Sequence, residues 1–245
     1  MINRFLIILI QVKNLYFPQV LDSIIKETAE NTTASVIWLH GLGSDAQHFA
    51  DKVPKLELPR NAAIRFIFPN APIKSIKAHN GKKMQAWCDL FFMEDGVSFD
   101  LENPDIKGIE ESSKLITELI DAEIEKGIKS ENIFIIGFSQ GAVLALHTAI
   151  LYPKKLAGAA CLSSHYPMTN TIHPNLANAK IPVFFGHGTH DDVVPEPLNE
   201  KTYEFFKSNG NPVERHTYHN MWHTVCLEEL KELGEWICKF SHCTP

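Results

Sequence analysis

The sequence predicts an α/β domain built on a mostly parallel central sheet with helices on both faces. Three observations carry that expectation. Strand-like apolar runs alternate with helix-like amphipathic runs along the chain, with no internal repeat or low-complexity tract. Several strand-like runs, such as Ser35-Val36-Ile37-Trp38-Leu39, are almost continuously apolar, as strands covered on both sides are. The loops richest in glycine, histidine, serine and aspartate all follow strands, and open parallel sheets place their sites at the carboxyl ends of strands. At 245 residues and 44% apolar content, the chain suits one domain with a sizeable core.

The elements follow in order. Residues 1–14 read as an extension, with the single domain running from 15 to 245. Within the extension Phe5 to Ile10 is apolar but too short to cross a bilayer as a helix. Gln11, Val12 and Lys13 follow in place of a small-residue cleavage site, so an added strand or a start extension is expected. Residues 15–25 suggest an early strand or hairpin. After the strand at 35–39 comes His40-Gly41-Leu42-Gly43-Ser44, then a helix expected over 46–55. The next strand, 63–68, is stopped by Pro69 and Pro72. Residues 69–105 read as irregular, and a connection that long is expected to be functional. Ile109, Leu115, Ile116, Leu119, Ile120 and Ile124 recur at helical spacing, predicting a helix over 106–127 with Gly127 at its stop. Strands are expected at 132–136, 156–162, 181–185 and 213–218, and helices at 142–149, 196–208 and 225–240.

Charge and cysteine usage exclude several function classes. A net charge of −6 offers no basic excess for nucleic acid. The five cysteines are scattered without C-x-x-C spacing, which argues against a disulfide scaffold or a zinc site and points to a reducing, cytoplasmic setting. His187, His190, Asp191, His219 and His223 cluster in the last third, yet their spacing matches no zinc signature. No stable membrane insertion is expected, and monomer and homodimer are both open.

The chemistry centres on Gly137-Phe138-Ser139-Gln140-Gly141, between a strand-like and a helix-like run. This is G-x-S-x-G in the context a nucleophile elbow requires. The turn must be sharp enough to lift the serine hydroxyl clear of the backbone, and glycines on either side avoid collision as helix folds back on strand. The amide of Gln140 then opens a helix, where an oxyanion can be held. A serine hydroxyl is a weak nucleophile and needs a base oriented by an acid. The order Ser…Asp…His places the acid at Asp191 or Asp192 and the base at His223 or His219, each after a later strand.

His40-Gly41-Leu42-Gly43, Gly137-Phe138-Ser139-Gln140-Gly141, His187-Gly188-x-x-Asp191-x-x-Val194-Pro195 and Met221-Trp222-His223 together resemble the acyl-protein thioesterase / phospholipase–carboxylesterase family of the α/β-hydrolase fold. Phe68-Pro69-x-Ala71-Pro72 and Trp87 are similar to that family too, and the resemblance spans about 36–240. It implies Ser139 as nucleophile, Asp191 as acid, His223 as base, and the amides of Leu42 and Gln140 as the oxyanion hole. It implies hydrolysis of carboxylic esters and acyl thioesters, with lysophospholipids and acylated proteins among the substrate types, and no metal or cofactor. Ala142 departs from the pattern where many members carry a third glycine, and residues 80–102 diverge. That stretch holds Met84, Trp87, Leu90, Phe91, Phe92, Met93, Val97, Phe99 and Leu101. Trp87, Phe91 and Phe92 are expected to line an acyl groove; the bland reading is that these residues only pin the loop to the core. An α/β-hydrolase-fold acyl-binding module with little turnover is the competing function, though such a module would normally lack one triad member.

Overall fold

The computed structural model describes residues 21–96, 98–241 and 243. The expected extension over 1–14 and the apolar Val97 lie outside them. In chain order the regular elements are β1 (Ser23–Glu27), β2 (Ala34–Leu39), α1 (Ala46–Ala50), β3 (Ile64–Pro69), β4 (Ile73–Ile76), β5 (Lys82–Gln85), α2 (Ile106–Glu125), β6 (Ile133–Phe138), α3 (Gln140–Leu151), β7 (Gly158–Leu162), β8 (Val183–Gly188), α4 (Glu196–Ser208), β9 (Val213–Tyr218) and α5 (Leu227–Ser241).

Seven strands form one twisted sheet in the order β1-β3-β2-β6-β7-β8-β9. Only β1, at the edge, runs antiparallel, pairing Ser23 to Glu27 with Pro69 to Arg65. The other neighbours are parallel. The apolar runs divide by residue parity between two cores, as the two-residue period of a strand requires. Ile37, Leu39, Ile133, Ile135, Val183 and Phe185 face α2, α3 and α4. Val36, Trp38, Phe134, Ile136 and Phe184 face α1 and α5, where Phe49, Leu233, Trp236 and Ile237 meet them. The helices therefore lie on both faces, as the sequence predicts.

Two elements differ from expectation. The first helix stops at Ala50 and not near Lys55, and a 3-10 turn, Val53–Leu56, replaces its end. Pro54 cannot donate a helical hydrogen bond and biases Val53 away from helical geometry. The stretch read as irregular contains the β4–β5 hairpin, with Ile73 opposite Gln85 and Ile76 opposite Lys82. Its turn passes through Asn80 and Gly81, at φ of 53° and 76°. Asn-Gly is the pair that tolerates this conformation most readily, so the hairpin had a local signal.

Candidate active site

Ser139 sits between β6 and α3 at φ 53° and ψ −124°, a conformation costly for a residue with a Cβ. Its neighbours explain how the turn closes. A Cβ on Gly137 would stand 2.2 Å from the Gly141 carbonyl oxygen, and one on Gly141 would stand 2.5 Å from the carbonyl oxygens of Leu39 and His40. Only bare backbone fits at both places, as the elbow reading expects. The Ser139 amide donates to Leu162 O at 2.9 Å, tying the turn to β7.

The loops after β8 and β9 bring Asp191 and His223 to this serine. Thr189 N–H donates to Tyr218 O and His190 N–H to Met221 O, each at 3.0 Å, so the two loops are laced together. Asp191 Oδ1 accepts from the amides of Val193 at 3.0 Å and Val194 at 2.8 Å. His223 Nδ1 lies 3.0 Å and 2.9 Å from the two Asp191 oxygens, and its Nε2 lies 2.9 Å from Ser139 Oγ. The Asp191 side chain is fully buried, which by itself raises its pKa; the bond from His223 and the two amide donors outweigh this and hold it below the ordinary carboxylate value. An ionised carboxylate only accepts, so the hydrogen sits on His223 Nδ1 and the Nε2 lone pair faces the serine hydroxyl. The alternatives lie elsewhere: Asp192 and His219 are both exposed, and His219 packs edge-on against His190.

His187 supports the acid. Its Nε2 donates to Val194 O at 2.9 Å and stands 3.6 Å from Asp191 Oδ2. Burial lowers its pKa, so it stays neutral and does not compete with His223 for the carboxylate charge. The sequence marked His187 by its place in a motif at a strand end and among five residues whose spacing matches no zinc signature.

Leu42 and Gln140 line the same cavity as Ser139. A Cβ on Gly41 would lie 3.3 Å from Ser139 Cβ, so the segment entering Leu42 packs directly on the serine. Gln140 is the first residue of α3, whose opening amides have no partner within the helix. His40 braces this segment from below: Nδ1 donates to Gly41 O at 2.7 Å and Nε2 accepts from Ala71 N–H at 3.0 Å. Its ring is buried, which lowers its pKa and suits the neutral tautomer those bonds require.

A cavity of about 320 Å³ opens beside Ser139, within the usual size range of small-molecule sites. Leu42, Leu90, Phe91, Phe99, Leu101 and Val143 line it. Phe91 is thus where the sequence reading placed it. Trp87 and Phe92 are not. Trp87 is wholly buried in the core and donates its indole N–H to His40 O at 2.8 Å. Phe92 is 38% exposed and stacks on Phe99 at 5.6 Å between centroids, so it backs a lining residue without lining the cavity. The side chain of Gln140 was missed altogether. Its Oε1 accepts from Trp87 N–H at 2.8 Å and its Nε2 donates to Cys88 O at 3.0 Å, joining the elbow to the cavity wall.

Residues 21–241 match the phospholipase/carboxylesterase family. The chain is 36% identical over 212 residues to acyl-protein thioesterase 1 of Saccharomyces cerevisiae, covering 84% of this chain and 92% of that one. It is 32% identical over 206 residues to carboxylesterase SOBER1 of Arabidopsis thaliana, covering 82% and 88%. The crystal structure of SOBER1 superposes with a TM-score of 0.73 at 30% identity, over 84% of this chain and 98% of that one. The chain belongs to the phospholipase/carboxylesterase family and is an α/β-hydrolase enzyme.

Proposed function

We propose that the chain cleaves carboxylic esters and acyl thioesters through an acyl-enzyme on Ser139. The observation that carries this reading is the continuous hydrogen-bonded line from Asp191 through His223 to Ser139 Oγ. Ser139 Oγ attacks the acyl carbon while its proton passes to His223 Nε2. Asp191 stabilises the imidazolium and keeps the ring oriented. The amides of Leu42 and Gln140 hold the negative oxygen. Collapse breaks the C–O or C–S bond, and the leaving alkoxide or thiolate takes the proton from His223. Water then repeats the sequence, releasing the acid and restoring Ser139. No step requires a metal or cofactor.

The apolar cavity beside the nucleophile supports an acyl chain of medium length as the bound group, carried by a small ester, a lysophospholipid or an acylated protein. Each methylene buried there contributes up to ~0.8 kcal/mol. Esters of about six to ten carbons should therefore outperform acetate. The names of the acyl-protein thioesterase relatives support thioester cleavage as well. Five free cysteines accord with a reducing, cytoplasmic setting. Among the described residues no helix is long and apolar enough to cross a membrane.

The test is fluorophosphonate labelling followed by a p-nitrophenyl ester series. One label per chain is expected, on Ser139, and Ser139→Ala should lose label and at least roughly 10⁴-fold in kcat. A folded Ser139→Ala protein with near-normal turnover would sink the assignment. A folded wild-type protein that binds acyl chains but hydrolyses none would be a binding module.

A further inference from the structure

The loop that carries His223 is held at two points, one on each side of the ring. Before it, Met221 O accepts from the His190 amide at 3.0 Å. After it, Thr224 O accepts from the Ser163 hydroxyl at 3.0 Å. Between these anchors Thr224 N–H donates to Trp222 O at 2.8 Å, closing a three-residue turn with His223 at its centre. The first anchor is backbone, from the loop that carries Asp191. The second is a side chain from a third loop, the one leaving β7.

Ser163 stands apart in its conformation and its connections. It is wholly buried, and its φ of 45° lies in the left-handed region, which a residue with a Cβ enters at a cost. Glycine would adopt that φ freely, yet the chain keeps a hydroxyl there. Ser163 N–H donates to Gly186 O on β8 at 2.8 Å. The carbonyl just before it, Leu162 O, accepts the Ser139 amide at 2.9 Å. This short segment therefore ties together the turn bearing the serine, the strand leading to Asp191 and, through one hydroxyl, the turn bearing His223. Ser163 does not line the cavity.

We propose that Ser163 is a positioning residue for the catalytic base. Its hydroxyl fixes Thr224 O relative to the elbow and so holds His223 Nε2 at 2.9 Å from Ser139 Oγ. A misplacement of about 1 Å between reacting groups costs on the order of 10²-fold in rate. This inference rests on the Ser139 acyl-enzyme reading above.

The experiment compares Ser163→Gly and Ser163→Ala with wild type on p-nitrophenyl octanoate, with active sites counted by fluorophosphonate titration. Glycine suits the left-handed φ, so Ser163→Gly keeps the turn and loses only the hydroxyl. Both variants should lose roughly 10- to 100-fold in kcat per titrated site, with KM nearly unchanged. A merely structural role would lower the melting temperature or the number of titrated sites and leave kcat per site intact. The second readout is a double-mutant cycle. In an Asp191→Asn background, where the base is already impaired, Ser163→Gly should cost no more than about threefold, because residues acting through one group are not additive. The inference is overturned if Ser163→Gly keeps kcat per site within about twofold of wild type, or if it loses the same factor with and without Asp191→Asn. Either result leaves fluorophosphonate labelling of wild-type Ser139 untouched, so the acyl-enzyme reading stands. A folded wild-type protein that takes no label on Ser139 would overturn both.

Discussion

The elbow and the cavity wall are built by different means. At the elbow, every constraint lies within a few residues or in adjacent strands: Gly137 meets Gly141, and Gly141 meets the end of β2. The wall formed by residues 86–96 and 98–101 has little regular structure and is held from a distance. Trp87 is gripped by Gln140 and His40, Ser112 donates to Trp87 O, and His165 donates to Leu101 O. The elbow tolerates almost no change, because backbone sterics define it. The wall can change one anchor and keep the rest. The difference teaches a division of labour on the proposed mechanism, in which the rigid turn and its two laced loops set the rate and the wall sets selectivity.

The sharpest break of that division is at the acid. Asp191→Asn should cut kcat by roughly 10³–10⁴-fold for every chain length alike, because the tautomer facing Ser139 is lost. Exposed Asp192→Asn should stay near wild type in the same assay. The reverse result would move the acid by one residue.

The rigid side also carries a buried carboxyl that the chemistry does not use. Glu229 packs against Gly186, and burial pushes its pKa up to about 8. Unfolded, it titrates near ~4.3. Between these values the folded state binds more protons than the unfolded one, so stability falls as pH rises from about 4 to 8. Glu229→Gln mimics the protonated form and does not titrate. It should match wild-type melting near about pH 4 and exceed it increasingly up to pH 8, by on the order of a few kcal/mol. Parallel melting curves from pH 5 to 8 would show that Glu229 does not titrate in the fold.

Gln140 is where the two regions meet, so it can sharpen the comparison. Gln140→Met keeps the length and the backbone amide but loses both side-chain bonds to the wall. Loss of roughly 10- to 30-fold in kcat/KM on octanoate, with a smaller loss on acetate, is expected from one or two net hydrogen bonds. Equal loss on both would place the residue wholly with the elbow.

The smallest effects belong to the wall itself. Phe91→Ala should lower kcat/KM for octanoate by several-fold and leave acetate nearly unchanged, flattening the chain-length profile. Phe92→Ala should act only through Phe99 and do less. If the two variants behave alike, or if acetate is the best wild-type substrate, the wall is packing and selectivity lies elsewhere.

Much of the site was legible in the sequence, and for a local reason. An elbow is a short-range object, so two glycines around a serine between a strand and a helix suffice to mark it. Parity along Val36 to Leu39 and Ile133 to Ile136 likewise sorts the two cores, since side chains alternate along any strand. Asp191 and His223 could be placed on the right loops because both follow strands of a parallel sheet. Choosing them over Asp192 and His219 needed the family resemblance; the structure brings Asp191 and His223 together beside Ser139. What only the tertiary structure decided lies at long sequence separation. Whether Trp87 pins the core or lines the groove depends on partners 47 and 53 residues away, and no periodicity carries that information. The same holds for the Gln140 clamp and for the bond from Ser163 to Thr224 O. Local sterics repeat with the period of the chain and can be read from it, whereas the pairing of distant polar groups exists only once the sheet has brought its loops together.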